Sequence, residues 1–268
     1  MRALRHAACA LLAAAALLSS PSYATSFTTD QSDLWFNVDQ SGEGVQLVQR
    51  GTVIFATLFV YGSGGMPTWY TATMDYTDNY TWTGALYATT GTYFGNPWNP
   101  GMFTIAPVGT MTWSAQTVTT GTLTWDVNGV PGTLIALVRQ ALVLDDYSGT
   151  YAGYAHRELT GCNNPALNGV SEEPISLSIT QNGSAITTVN TTLTTGNSCV
   201  FSGTVSEAGQ MGEFDGSFAC ADGSTGTGSS IEVQVTYWGL SAHRLDSYST
   251  PAGCQNDGWI GLARVTTF

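Results

Sequence analysis

The chain contains no lysine. Its 268 residues carry 7 basic side chains, all of them arginine, against 19 acidic ones, and only 10% of positions are charged. Schiff-base catalysis and a phosphate-binding loop ending in Gly-Lys-Ser/Thr are thereby excluded. A formal net charge of −12 repels phosphate backbones, so no nucleic-acid partner is expected. Histidine is scarce, with three in the chain. Beyond residue 24 no run approaches the roughly 18 apolar residues that a membrane-spanning helix needs, so no membrane span is expected.

The first 24 residues read as an export signal. Arg2 and Arg5 form a basic start, Ala7 to Leu18 an apolar run, and Ser22-Tyr23-Ala24 a small-x-small cleavage site. Cleavage there removes Cys9, two arginines and no acid, leaving 5 − 19 = −14 on 268 − 24 = 244 residues. The mature chain is expected to be secreted or periplasmic.

Four cysteines remain, Cys162, Cys199, Cys220 and Cys254, and an even count in an exported chain predicts two disulfides. Four cysteines allow three pairings, and local geometry favours one. The sequence reads as a turn at Ala208-Gly209-Gln210-Met211 between two β runs. A hairpin centred there sets Cys199 opposite Cys220, Phe201 opposite Phe218 and Gly203 opposite Gly216. Cys162 and Cys254 form the remaining pair. Close C-x-x-C spacing with neighbouring histidines is absent, so zinc is not expected, and no cofactor is expected either.

Thr, Val, Tyr, Trp and Phe alternate with small or polar residues in runs bounded by Gly, Asn, Asp and Pro, which reads as β structure nearly throughout. No apolar stripe at helical spacing is sustained. Eight strands are predicted between Leu34 and Gln140, the last two flanking Asn128-Gly129, and eight more between Tyr147 and Val265. The predicted fold is all-β, with two consecutive antiparallel barrels or sandwiches of about eight strands each, over 25–143 and 144–268 after the signal at 1–24. Six of the eight tryptophans fall in the first domain and all four remaining cysteines in the second. Aromatic burial is expected to stabilise the one and cross-links the other.

The stretch Leu34-Trp35-Phe36-Asn37, Ser41-Gly42-Glu43-Gly44, Phe59-Val60-Tyr61 and Pro67-Thr68-Trp69-Tyr70, continued through Val127-Asn128-Gly129-Val130 to Arg139, resembles a motif of exported proteobacterial β proteins. The resemblance covers roughly residues 33 to 140. It implies a secreted β module and carries no reaction, cofactor or catalytic residue. Phe36 and Glu43 stand where that family often has Trp. In architecture alone, the eight-strand meander looks like the small barrels of avidins and lipocalins.

A ligand-binding role at the mouth of the first barrel is the leading expectation. The segment between Ala88 and Val108 interrupts the strand pattern, and Tyr93, Phe94, Trp98 and Phe103 within it either stack on a ligand or plug the open end. Trp69, Trp82, Trp113 and Trp125 are read as inward aromatics that either line a cavity or fill the core, and Trp35 is a further candidate ligand contact. Glu43, between glycines, is a candidate for a sugar hydroxyl contact or an acid. The expected ligand is a small apolar molecule or a glycan; a protein partner, met as an enzyme inhibitor or adhesin, is the further alternative.

Catalytic sets are thin. Ser241, His243 and Asp246 suggest a Ser/His/Asp site, but without a Gly-x-Ser-x-Gly elbow, and they read better as polar residues on a solvated strand. An extracellular hydrolase using Glu43, His243 or Asp246 remains the rival function. Asp145-Asp146 and Glu172-Glu173 read as turn and solvated loop, Asp222 to Ser229 as a flexible hairpin loop, and Asp222 with Asp257 and Glu207 as a weak calcium candidate.

Overall fold

The structure, a computed structural model, describes residues 29–250 and 253–265. The expected export signal and Cys9 lie outside the described residues. Strands β1 (Asp33–Phe36), β2 (Gly44–Arg50), β3 (Val53–Tyr61), β4 (Pro67–Tyr76), β5 (Thr81–Thr90), β6 (Thr104–Ala115), β7 (Thr120–Val127) and β8 (Val130–Arg139) close into an antiparallel up-and-down barrel. Strands β9 (Gly149–Thr160), β10 (Gly169–Asn182), β11 (Ala185–Thr192), β12 (Ser198–Ala208), β13 (Met211–Cys220), β14 (Thr225–Val235), β15 (Gly239–Thr250) and β16 (Gln255–Arg264) close a second one, β16 pairing back onto β9. Strand period 2 is visible in burial. Along β16, Asn256, Gly258, Ile260 and Leu262 point in while their neighbours point out.

The turn chemistry works as the sequence predicts. Asn128 and Gly129 both have positive φ, 53° and 83°, as a two-residue I′ turn requires. In the β12–β13 hairpin Cys199 faces Cys220, Phe201 faces Phe218 and Gly203 faces Gly216. Both expected disulfides are present, Cys199–Cys220 across that hairpin and Cys162–Cys254 across the β9–β16 end of the second barrel. Two disulfides suit a non-cytoplasmic environment.

The structure corrects several local expectations. The break in the first barrel is shorter than expected, residues 91–103 with one 3-10 turn at Pro100–Met102, because β5 and β6 extend to Thr90 and Thr104. The run from Asp222 to Ser229 is mostly strand: it turns at Asp222 and Gly223, where Asp222 Oδ1 accepts from Ser224 N, and β14 starts at Thr225. Glu172 and Glu173 lie within β10 rather than a loop.

The first barrel is packed full. Trp35, Trp82 and Trp113 are buried with Leu47, Ile54, Leu58, Met74 and Met111 in one cluster. Glycine makes the room. Gly121 and Gly132 sit under the Trp113 and Trp125 rings, which a Cβ at either position would strike. At the lower end Trp35 Nε1 donates to Gln31 O (2.9 Å) and Trp113 Nε1 to Gln31 Oε1 (3.3 Å).

Arg139 holds this end together. It is the partner of Trp35 across the β1–β8 seam, and its guanidinium lies 4.5 Å from the Trp35 ring centroid. Its Nη1 donates to Asp33 Oδ2 (3.1 Å) and Ser32 O, its Nη2 to Asp30 O and its Nε to Val118 O (2.8 Å). Burial lowers its pKa from the ordinary value, and the Asp33 carboxylate opposes that shift. Asp33 Oδ2 also accepts from Gln210 N (2.9 Å) at the β12–β13 turn, while Gln210 Nε2 donates to Ser32 O (2.6 Å), tying the second barrel to the first. Gly209, at φ +61°, lets Asp33 approach where a Cβ would collide.

Replacing Arg139 by Met keeps the apolar stem but strands a carboxylate and three carbonyls. Breaking such a buried pair costs on the order of 3–5 kcal/mol. Urea denaturation followed by tryptophan fluorescence is expected to show a loss of that size, and a loss below about 1 kcal/mol would mean the pair contributes little.

Candidate functional site

The residues expected at the mouth of the first barrel do not come together as one pocket. Trp35 is 0% exposed and belongs to the core. Trp69 faces outward, opposite exposed Phe59 on β3, because Tyr70, Ala72 and Met74 take the inward positions of β4. Trp82 and Trp113 fill the interior, and Trp125 packs against it. Glu43 is half-buried in the β1–β2 turn. That turn lies at the same end of the barrel as residues 91–103, since both connect strands there.

The 91–103 loop is not a plug. Tyr93 and Trp98 are exposed and Phe94 is 92% exposed. Its backbone is nevertheless braced: Thr92 Oγ1 donates to Asn99 O (3.0 Å) and accepts from Asn99 N (2.9 Å), and Asn99 Oδ1 caps the 3-10 turn through Gly101 N. The result is an ordered loop that shows aromatic rings to solvent.

The second barrel has a different interior. Its lower end, next to the first barrel, is closed by Tyr147 and Tyr151, both fully buried, with Tyr147 edge-on to Phe214 and its hydroxyl on Glu207 Oε1. Above this floor the lining stays apolar on β10, β12 and β13, at Ile175, Leu177, Phe201 and Phe218, the last two beside the Cys199–Cys220 disulfide, and turns polar on β9, β11 and β15. A cavity of about 50 Å³ lies at that change, bounded on its polar side by Arg157, Thr188, Asn190, Ser230, Arg244, Asp246 and Tyr248. It has room for on the order of three waters, at about 15 Å³ of usable space each. Arg157 also borders an open bowl of about 590 Å³ formed with Glu173, Thr192, Asn197 and Asp222 at the barrel mouth.

Polar pairing around the cavity is nearly complete. Asp246 accepts from Arg244 Nη2 (3.0 Å) on one oxygen and from Asn256 Nδ2 (3.0 Å) on the other, and Gly228 leaves the space its carboxylate occupies. Arg157 lies 3.6 Å from Glu173, which also accepts from Thr192 Oγ1. Burial pushes the Tyr248 phenol up, so it stays a protonated donor at neutral pH. One group stands out. Asn190 is 7% exposed and its Oδ1 has no hydrogen-bond partner, although such an atom in a protein interior costs about 1–3 kcal/mol.

The other expected constellations come apart. Ser241 and His243 share the outer face of β15, but Asp246 points inside, so no Ser/His/Asp site forms. His243 Nε2 instead pairs with Asp257 Oδ1 (2.6 Å), and its ring stacks on Trp259, centroids 4.2 Å apart. His156 lies 3.4 Å from Glu172 on the same outer face. Asp222 is at the disulfide end of the second barrel and Glu207 at the other, which rules out a shared calcium. Among the described residues no group of three His, Cys, Asp or Glu could hold a metal.

Arg157, Asn190 and Arg244 were not expected at a site, and Asp246 was expected only in a catalytic set with Ser241 and His243 or in a hydrolase. The signal for two of them is parity: Leu240 and Ala242 point inward on β15, so Arg244, Asp246 and Tyr248 must follow. Neither a known protein family nor a curated protein matches this chain on comparison.

Two substitutions test this assignment. Phe94→Ser should change stability by less than about 0.5 kcal/mol, as for any exposed site, whereas a large loss in thermal denaturation would restore the plug. Asn190→Leu should raise Tm by a few degrees, because it removes about 1–3 kcal/mol of unpaired polar burial; a fall in Tm would show that the amide is satisfied.

Proposed function

We propose that this chain is a secreted or periplasmic binding protein that takes a small ligand into its second barrel from the disulfide end. The observation that carries the reading is the Asn190 amide oxygen, buried without a partner on the wall of a partly polar cavity that shares Arg157 with the open bowl at the barrel mouth. The first barrel, of the same topology, is filled by tryptophan, and its buried polar residues Gln31, Asn37 and Arg139 lie at its ends. A hydrolase finds no support in this geometry, because Glu43 lies in the first barrel, His243 on the outer wall of the second and Asp246 inside it.

The braced aromatic loop supports a second contact, with a glycan. Its exposed Tyr93, Phe94 and Trp98, with Trp69 on the adjacent wall, offer sites for stacking on sugar rings. Loss of a glycan-array signal in Trp98→Ala, with the cavity intact, would identify that contact.

The cavity reading is tested by blocking it. Ala242 is buried and lines the cavity, so Ala242→Leu fills the space with apolar volume. A fragment screen by protein-observed NMR should find ligands that shift resonances of the second barrel in the native chain. The variant is expected to fold with an equal or higher Tm and to lose those ligands by at least about tenfold, the equivalent of about 1.4 kcal/mol. Unchanged affinity in the variant would remove the ligand from this cavity.

A further inference from the structure

The lining of the second barrel says what kind of molecule fits it, given that the barrel binds a ligand as proposed above. Charge is balanced there. Each guanidinium already has a carboxylate, Arg244 with Asp246 and Arg157 with Glu173, and both Asp246 oxygens are engaged. A ligand carboxylate would have to compete with Asp246 and Glu173 for the same arginines, and an ammonium would have to compete with the arginines for the same acids. Either ion would also leave water for a site floored by Ile175, Leu177 and Phe214, a transfer that costs several kcal/mol when no new pair compensates it.

What the site lacks is a donor. Asn190 Oδ1 on the cavity wall and Asn256 Oδ1 beside Asp246 are both buried acceptors with no partner. We infer that the second barrel selects an electroneutral small molecule, with a short apolar chain seated on the floor and an N–H or O–H group donating to Asn190 Oδ1. Cavity size limits the apolar part to about three heavy atoms, the equivalent of the roughly three waters it can hold. The selection is for a neutral amide, urea or alcohol over acids and amines of the same shape.

Propanamide, propanoate and propylammonium share a short chain and differ in the charge of the head, which makes them the test set. Their dissociation constants are measured by NMR titration of the full chain with both disulfides formed. Propanamide is expected to bind at least tenfold more tightly than either ion, and Asn190→Leu to remove at least tenfold of that affinity while Tm is kept or raised. Asn190→Asp, which adds a negative charge to a balanced lining, should turn the preference toward propylammonium. Equal or tighter binding of propanoate or propylammonium to the native chain would overturn the inference and leave the cavity reading standing, as would an Asn190→Leu variant that binds propanamide unchanged, or resonance shifts for none of the three at 10-fold the concentration that saturates a fragment hit. Shifts that persist unchanged in Ala242→Leu would overturn both.

Discussion

The contact on which the rest of the molecule depends is the buried pair of Arg139 and Asp33. Barrel closure in the first domain is a seam of two register pairs between β1 and β8, much shorter than any other strand pairing in the chain. A four-residue strand such as β1 offers few ladder bonds. The guanidinium compensates by bonding the backbone of the preceding segment and of the β6–β7 turn, by covering Trp35, and by holding a carboxylate that reaches the second domain. A lysine could not do this, since a single ammonium has no planar fork to serve several carbonyls and a carboxylate at once. In a chain without lysine, arginine has become a structural residue: Arg264 repeats the arrangement in the second barrel, stacked on Tyr151 and bonded to Ser148 O.

Two barrels of one topology have reached opposite interiors through a simple difference in side-chain volume. In the first, indoles lie over glycines on the neighbouring strand, so large and small residues interlock. The second has no inward tryptophan. Phenylalanine and aliphatic residues fill its lower half and line β10, β12 and β13 up to the disulfide end, while β9 and β15 carry Arg157, Arg244 and Asp246, which must be paired and so cannot collapse to fill volume. A cavity where those strands face each other follows from the chemistry of their side chains.

Much of this was legible in the sequence. All sixteen strands follow from alternation between breakers, and the β12–β13 register follows from three like pairs around one turn. The direction of individual side chains was harder. Trp69 is followed by Tyr70, so two aromatics compete for the inward position and only the neighbours two and four residues on decide it. In β15 the apolar alternation stops after Ala242, and Arg244 and Asp246 look like solvent-facing residues because a charge inside a barrel is costly unless its partner is present. Those partners, Asn256 on β16 and the space over Gly228 on β14, are far away in sequence and become neighbours only through pairing. Arg139 was hidden for the same reason: the groups it bonds come from residues 30 to 33 and 118.

The order of the cysteines along the chain has a bearing on how the second barrel is made. A chain emerging from its N-terminus presents Cys162 first, and Cys199 appears long before Cys254, so the mispairing within reach is Cys162 with Cys199. The β12–β13 hairpin competes with that error. Its two-residue turn at Gly209-Gln210 brings Cys220 against Cys199 within microseconds, the time scale of hairpin formation, whereas bond formation takes seconds or longer. Cys199 is thus occupied by its own neighbour while oxidation is still slow, and Cys162 is kept for the last strand. The local register acts as a proofreader for the long-range bond, and the barrel can be locked only after its final strand has paired with its first.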